Sequence, residues 1–356
     1  MSITMLHANE VPFFVGTTSA PGKKTGILRC TLDLETGKLS GPIVAADVKS
    51  PSFLAASPDG KFLYAAIEQK GGEVAAFQIL GDRSLAPLNS KTSGGDGTCH
   101  VWADAKHVLA SNYTGGNAAC FPVLQDGSLG DATANVAFSG SGPDPVRQKK
   151  PFAHAAVLSP DGRFAYVCDL GTDQVWIFRF DSEAGTMLPA DPPSGKVPPG
   201  AGPRHLAISP QGDFLYVNNE MGLSISVFAR NRETGALRLL QTIPTLPEGA
   251  SHAGSTTSAL AMHPSGRWLY VSNRGHNSIA VYEIRPDGNL QPVQNSPSTV
   301  AKPREFTIDP SGAWLVVGGQ DDGAIVSMRI NPADGTLAPA DRLQTGYAPV
   351  SFSFIP

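Results

Sequence analysis

The chain has 356 residues, room for one large all-β domain or two ordinary ones. A formal net charge of −4 excludes the global basic field of a nucleic-acid or anionic-membrane binder, and no stretch reaches the roughly 18 apolar residues of a membrane span. The four cysteines, Cys30, Cys99, Cys120 and Cys168, stand far apart with no CxxC pair, and the opening MSITMLHANEVPFFVG lacks a basic start followed by a long apolar run. Both features point to free thiols in the cytoplasm.

In chain order, PFFVGTT and GILRCTLD read as the second and third strands of a unit whose first strand is missing. A full strand–turn–strand unit begins at Pro51 with PSFLAASPDGKFLYAAIE. It recurs in degenerate form at Thr98 (TCHVWADAKHVLASNYTGG), then at Ala153 (AHAAVLSPDGRFAYVCDLG) and Pro203 (PRHLAISPQGDFLYVNNE). Two more copies start at Thr257 (TSALAMHPSGRWLYVSNR) and Pro303 (PREFTIDPSGAWLVVGGQ). The interval of about 47 to 55 residues is too long for ankyrin or leucine-rich repeats and suits a four-stranded propeller blade. An acidic–Gly–Leu turn closes each unit, as in Glu35-Thr-Gly-Lys-Leu39, Glu233-Thr-Gly-Ala-Leu237 and Asp287-Gly-Asn-Leu290; Asp82-Arg-Ser-Leu85 lacks the glycine. Glycine supplies the positive φ of a tight turn. The last segment, APVSFSFIP, reads as a first strand without its turn. It supplies the strand the N-terminal unit lacks. The predicted fold is therefore all-β, a seven-bladed β-propeller of four-stranded blades. Its ring is closed by the C-terminal strand joining the N-terminal blade, and residues 1–356 form a single domain.

First and second strands run antiparallel, so the start of one and the end of the other share a face of the disc. Aligned on the turn proline, the position six residues earlier holds Ser52, Cys99, His154, Arg204, Ser258 and Arg304. The ends of the second strands hold Glu68, Tyr113, Leu170, Glu220, Arg274 and Gln320, with Asp169 one place before Leu170. The other face carries only repetitive SPDG-type turns. The charged face is the candidate site, at the mouth of the channel. A guanidinium–carboxylate network could also be purely structural, a lone histidine is usually so, and His205, His252 and His276 are weaker candidates still. Such groups near a channel lose hydration, which argues for a ligand or for one another. Residues 139–151, 198–203 and 245–256 are Gly/Pro/Ser-rich loops just before first strands and are candidate walls of a site.

SPSFLAASPDGKFLYAAIE, ASNYTGGNAACFPV, HAAVLSPDGRFAYVCDLGTDQVWIF, GPRHLAISPQGDFLYVNNE, LYVSNRGHNSIAVY, PREFTIDPSG and NPADGTL together resemble the lactonase family of seven-bladed propellers over nearly the whole chain. That family includes sugar-lactone hydrolases and a muconate lactonizing enzyme. The resemblance implies hydrolysis of a sugar-acid lactone, 6-phosphogluconolactone foremost, with no metal and no cofactor. It implies a site of one His, two Arg and one Glu, which fall here on His154, Arg204, Glu220 and Arg274. Around them His205, Arg304, Glu68, Asp169 and Gln320 are expected to bind substrate. Where the family often has a His-x-His pair, the first place here is Phe152. Arg204 and Arg274 would hold an anion or the developing oxyanion, with Glu220 as base and His154 as acid. A lactonizing cycloisomerase uses the same groups in reverse, and a non-enzymatic interaction platform is the reading of a different class. The partner expected is a small, anionic lactone, with no nucleic acid or membrane. A closed ring needs no second subunit to cover its edges, so a monomer is the default and a dimer stays open.

Overall fold

The computed structural model describes residues 9–355. The first half of the stretch on which the reading of the N-terminus rests, residues 1–8, lies outside them. The described residues form seven four-stranded antiparallel sheets. The final strand, Pro349–Phe354, pairs antiparallel with Glu10–Thr17, so blade 1 is built from both ends of the chain. Blades 2 to 7 follow in order, each entered through its innermost strand: Pro51–Ala56, Thr98–Ala103, Ala153–Leu158, Pro203–Ile208, Thr256–Met262 and Pro303–Ile308. Second strands such as Phe164–Asp169 are buried along their whole length because both faces meet neighbouring blades. Seven apolar clusters fill the seven gaps between blades; Tyr216, Val227, Leu269 and Val271, for example, fill the gap between blades 5 and 6.

The acidic–Gly–Leu turn joins the third strand to the fourth, so each unit ends one strand later than the turn. The turn also locks one blade to the next. The second-strand tyrosine of one blade donates its hydroxyl to the turn glycine carbonyl of the following blade: Tyr64 to Gly127 at 3.1 Å, Tyr166 to Gly235 at 2.9 Å, Tyr216 to Gly288 at 3.0 Å and Tyr270 to Gly335 at 2.9 Å. The same glycines have φ near +80° and lie flat on the aromatic ring that opens the second strand, Phe62, Phe164, Phe214 or Trp268, which a Cβ would strike. At the closing seam Val316 replaces the tyrosine, and Ser327 Oγ donates to Gly37 O at 2.6 Å instead.

All seven innermost strands share an irregularity at one place. The pairing register skips Ser52, Cys99, His154, Arg204 and Arg304, skips Ser258 with Ala259, and skips Val350 in the strand that closes the ring. These are β-bulges, which release a residue from the ladder and re-aim its side chain. The position six residues before the turn proline is therefore a ring of seven bulges around the channel mouth.

Candidate active site

The bulge ring opens into a cavity of about 630 Å³. Its walls take His154 and Arg304 from the bulges, and Glu68, Glu220 and Arg274 from the ends of the second strands. Of the three candidate loops, 139–151 contributes Arg147 and 245–256 contributes Gly254 and Thr256. Residues 198–203 border a different, smaller depression.

Glu220 is the centre of the charged cluster. It follows directly on the strand Phe214–Asn219 and is almost fully buried. Its Oε1 accepts from Arg147 Nη2 at 2.6 Å. Its Oε2 lies 3.0 Å from Arg274 Nη2 and 3.2 Å from Arg204 Nε. Burial pushes the carboxyl up, but Arg274, Arg204 and Arg147 outweigh it and hold the group down to about 2. Glu220 is thus a permanent anion gripped by guanidiniums from three different parts of the ring.

Arg204 lies behind this cluster, 2% exposed. Its Nη1 donates to Ser258 O at 2.7 Å and contacts His205 Nε2 at 3.0 Å. A guanidinium has no acceptor, so His205 Nε2 must accept and its proton sits on Nδ1, which faces Glu305 Oε2 at 3.8 Å. Burial, with Arg274 and Arg304 nearby, lowers Arg204 to about 10, which leaves it charged at neutral pH.

His154 faces the cavity from the bulge of blade 4. Burial first, then Arg204, Arg304, His100 and Arg274, push it well below the usual histidine value. It is a neutral imidazole, with Nδ1 buried and without a hydrogen-bond partner. The ring stands edge-on to Tyr113, 5.6 Å between centroids, and Arg147 Nη2 reaches the Tyr113 hydroxyl at 3.5 Å. Phe152, in the place of a family histidine, packs on Tyr113 at 4.9 Å and buttresses that wall.

The structure brings His154, Glu220, Arg274, Arg304 and Glu68 to one cavity, with Arg204 behind Glu220. The other expected contacts lie elsewhere. His205 is beneath the cavity, among His100, His154 and Phe53. Asp169 is fully used inside blade 4: its oxygens accept from Phe152 N, Gly171 N, Thr172 Oγ1 and Trp176 Nε1, and none is left for a ligand. Gln320 falls outside the wall, and its neighbour Asp321 takes that place. His252 and His276 do not line the cavity either. The residue missed by the alignment of repeats is Arg147. It sits in the loop before the first strand of blade 4, which the alignment on the turn proline does not reach, so only the composition of its loop pointed there. Among the described residues no cluster of three or more His, Cys, Asp or Glu is arranged to hold a metal ion. Among the same described residues no helix is long and apolar enough to cross a membrane.

The family model for the seven-bladed β-propeller lactonases matches residues 12–354. A Bacillus subtilis protein named 6-phosphogluconolactonase is 33% identical over 91% of this chain and 92% of its own. A solved structure from Bacteroides fragilis superposes with a TM-score of 0.91 at 31% identity, covering 98% of this chain and 99% of the other. The periplasmic gluconolactonase of Pseudomonas aeruginosa superposes with a TM-score of 0.90 at 27% identity, over 98% and 99%.

Proposed function

This chain belongs to the lactonase family of seven-bladed β-propellers, and on that premise we propose that it opens the ring of a sugar-acid lactone by adding water, with 6-phosphogluconolactone as the preferred substrate. The observation that carries the reading is a neutral, buried His154 and a carboxylate clamped by three guanidiniums lining one cavity sized for a small ligand.

The roles proposed for Glu220 and His154 are the reverse of those expected from the sequence. A carboxylate held near 2 is a feeble base, whereas a neutral imidazole can accept a proton. In the proposed mechanism His154 takes a proton from the attacking water as its oxygen bonds to the lactone carbonyl carbon. The carbonyl electrons move onto oxygen, and Arg274 and Arg147, aligned by Glu220, stabilise that charge, worth roughly 10²–10³-fold per donor. The tetrahedral centre collapses, the ring C–O bond breaks, and protonated His154 returns its proton to the departing ring oxygen. The product carboxylic acid ionises in water, so each turnover releases one proton. Arg204 has no opening to substrate and serves to position Glu220.

The reading includes a monomer in the cytoplasm, in keeping with four cysteines that are all buried and unpaired. Fractionation is the check, since one structural neighbour is a periplasmic enzyme. The enzymatic test is proton release from 6-phosphogluconolactone and from gluconolactone, in EDTA, by the parent protein and by Arg274→Ala. Turnover that favours the phosphorylated lactone and is lost in the variant supports the proposal. Turnover of neither overturns it, and carboxymuconates are then assayed for cyclisation, followed by screens for protein partners.

A further inference from the structure

The three guanidiniums around Glu220 already have that carboxylate as their counter-ion. Arg147 Nη2, Arg274 Nη2 and Arg204 Nε all meet Glu220, and Arg204 Nη1 is spent on Ser258 O and His205. A substrate with a remote anion needs positive charge that is not answered in this way. The cavity has one such guanidinium. Arg304 lines it from the bulge of blade 7, and among the described residues no carboxylate lies within ion-pair distance of it. Its charge helps to depress His154 in blade 4 and bears also on Arg204 in blade 5, Arg274 in blade 6 and the neighbouring Glu305.

The backbone at this spot is fixed. Ser258 Oγ of blade 6 donates to Arg304 O at 2.6 Å. Two residues earlier Lys302, with φ of +58°, is held by a 2.9 Å bond from its N–H to Asn277 Oδ1, and Asn277 is itself left-handed at +55°. Lys302 and Asn277 both line the cavity. The Lys302 ammonium stands 3.6 Å from Asp321, beyond hydrogen-bond distance, and remains 41% exposed. A rigid wall thus presents one uncommitted guanidinium and one loosely held ammonium.

We propose that Arg304, with Lys302 beside it, is the subsite for the remote dianionic phosphate of the substrate, and so the determinant that separates phosphorylated from unphosphorylated lactones. This rests on the lactonase reading of the same cavity. Blade 7 stands across the ring from blade 4, so the division of labour is spatial. Water activation belongs to His154, oxyanion stabilisation to the guanidiniums around Glu220, and anchorage to the Arg304 wall. Guanidinium matches a phosphate by its planar fork of donors, and the lysine adds a second positive charge.

The test compares the parent with Arg304→Gln, Arg304→Lys and Lys302→Met, using proton release from 6-phosphogluconolactone and gluconolactone. The preference, taken as a ratio of kcat/KM values, is expected to fall about 10- to 100-fold in Arg304→Gln, the range lost with a charged hydrogen bond. Most of the change should be in KM. Arg304→Lys should keep part of the preference, and Lys302→Met should lose less than Arg304→Gln. Thermal midpoints verify that each variant is folded. Calorimetric titration with 6-phosphogluconate and with inorganic phosphate provides a readout independent of turnover. Tight binding by the parent and weakened binding by Arg304→Gln support the subsite even if no lactone is hydrolysed. An unchanged preference in Arg304→Gln, with both lactones still turned over, overturns the subsite and leaves the lactonase reading in place. Equal affinity of parent and Arg304→Gln for 6-phosphogluconate also overturns it.

Discussion

Two rings of the propeller are made from the same repeat, and they are used in opposite ways. In the outer ring an aromatic, a tyrosine and a turn glycine recur with nearly the same chemistry in four of the seven contacts between blades. In the inner ring a bulge recurs in all seven blades, yet the residue it presents changes from Ser to Cys, His, Arg, Ser, Arg and Val. Uniformity in the first ring is a packing requirement, because each blade must meet the next in the same way. In the second ring the backbone is repeated and the side chain is free, because a bulge residue leaves the ladder and owes nothing to the neighbouring strand. Function is placed where geometry is constant and chemistry is not.

The comparison is tested most severely at Glu220, where inner-ring chemistry holds three elements together. Glu220→Gln leaves three guanidiniums crowded around a neutral amide. We expect activity to fall at least about 10³-fold and stability by about 3–5 kcal/mol, the range for breaking a buried ion pair. Turnover together with denaturant midpoints reads both. A variant of parental stability would mean that the cluster is not the keystone of the mouth.

Next in size is His154. Loss of a general base costs roughly 10²–10⁴-fold, so His154→Asn should retain its fold and lose that much kcat. The parent pH profile sharpens the point. His154 acts when neutral, and burial with the surrounding arginines depresses its pKa well below 6.5. Protonation that silences it should therefore begin only well below pH 6.5, and kcat/KM for gluconolactone, which has no phosphate to titrate, should stay level from pH 8 down to 6. An acid limb centred near 6.5 that is absent from the residual activity of His154→Asn would mean that the imidazole titrates at its ordinary value, and one that persists in the variant would remove His154 from the role.

The repeat made most of this fold legible in advance, since period, turn glycine and the split first blade all follow from one pattern of residues. The inner-ring candidates were legible for the same reason, as alignment on the turn proline put Arg204, His154 and Arg304 on one level. Arg147 was not, because its loop has no register to inherit. Asp169 shows the opposite failure. It stands at the right height on its strand, but its side chain turns into blade 4 and caps the turn that follows, a choice set by local hydrogen bonds and invisible to the alignment. The exchange of roles that we propose for Glu220 and His154 was also hidden, because it depends on how many guanidiniums reach one carboxylate.

Beneath the mouth, Glu305 gives a pH test of opposite sign to Glu220. Burial raises its carboxyl from 4.5 to about 7, although Arg204, the Phe306 N–H and Arg304 draw it down. The folded state therefore holds an extra proton between pH 4.5 and 7, and the stability tied to Glu305 is present below 4.5 and lost as pH rises through 7. The buried His100, His154 and His205 titrate with the opposite sign below 6.5, and they largely cancel when a variant is compared with its parent. Glu305→Gln should gain on the parent by on the order of 3 kcal/mol across that window, followed by denaturation midpoints at each pH. A difference that is constant with pH would show that the carboxyl titrates normally.

The smallest effects belong to the outer ring, and there the argument is about equivalence. Tyr216→Phe deletes one hydroxyl and its bond to Gly288 O, for an expected loss of about 1 kcal/mol. At the closing seam the tyrosine is absent and Ser327 makes the corresponding bond to Gly37 O. If the two bonds do the same job, Ser327→Ala should cost about as much as Tyr216→Phe, although the two residues share no position in the repeat. The seam also has Trp314, whose Nε1 donates to Leu34 O at 2.9 Å in the same turn. A negligible loss in Ser327→Ala combined with a larger one in Trp314→Phe would assign the closing contact to the indole. It would also mean that the seam joining the chain's two ends is held by a different device from the four tyrosine contacts.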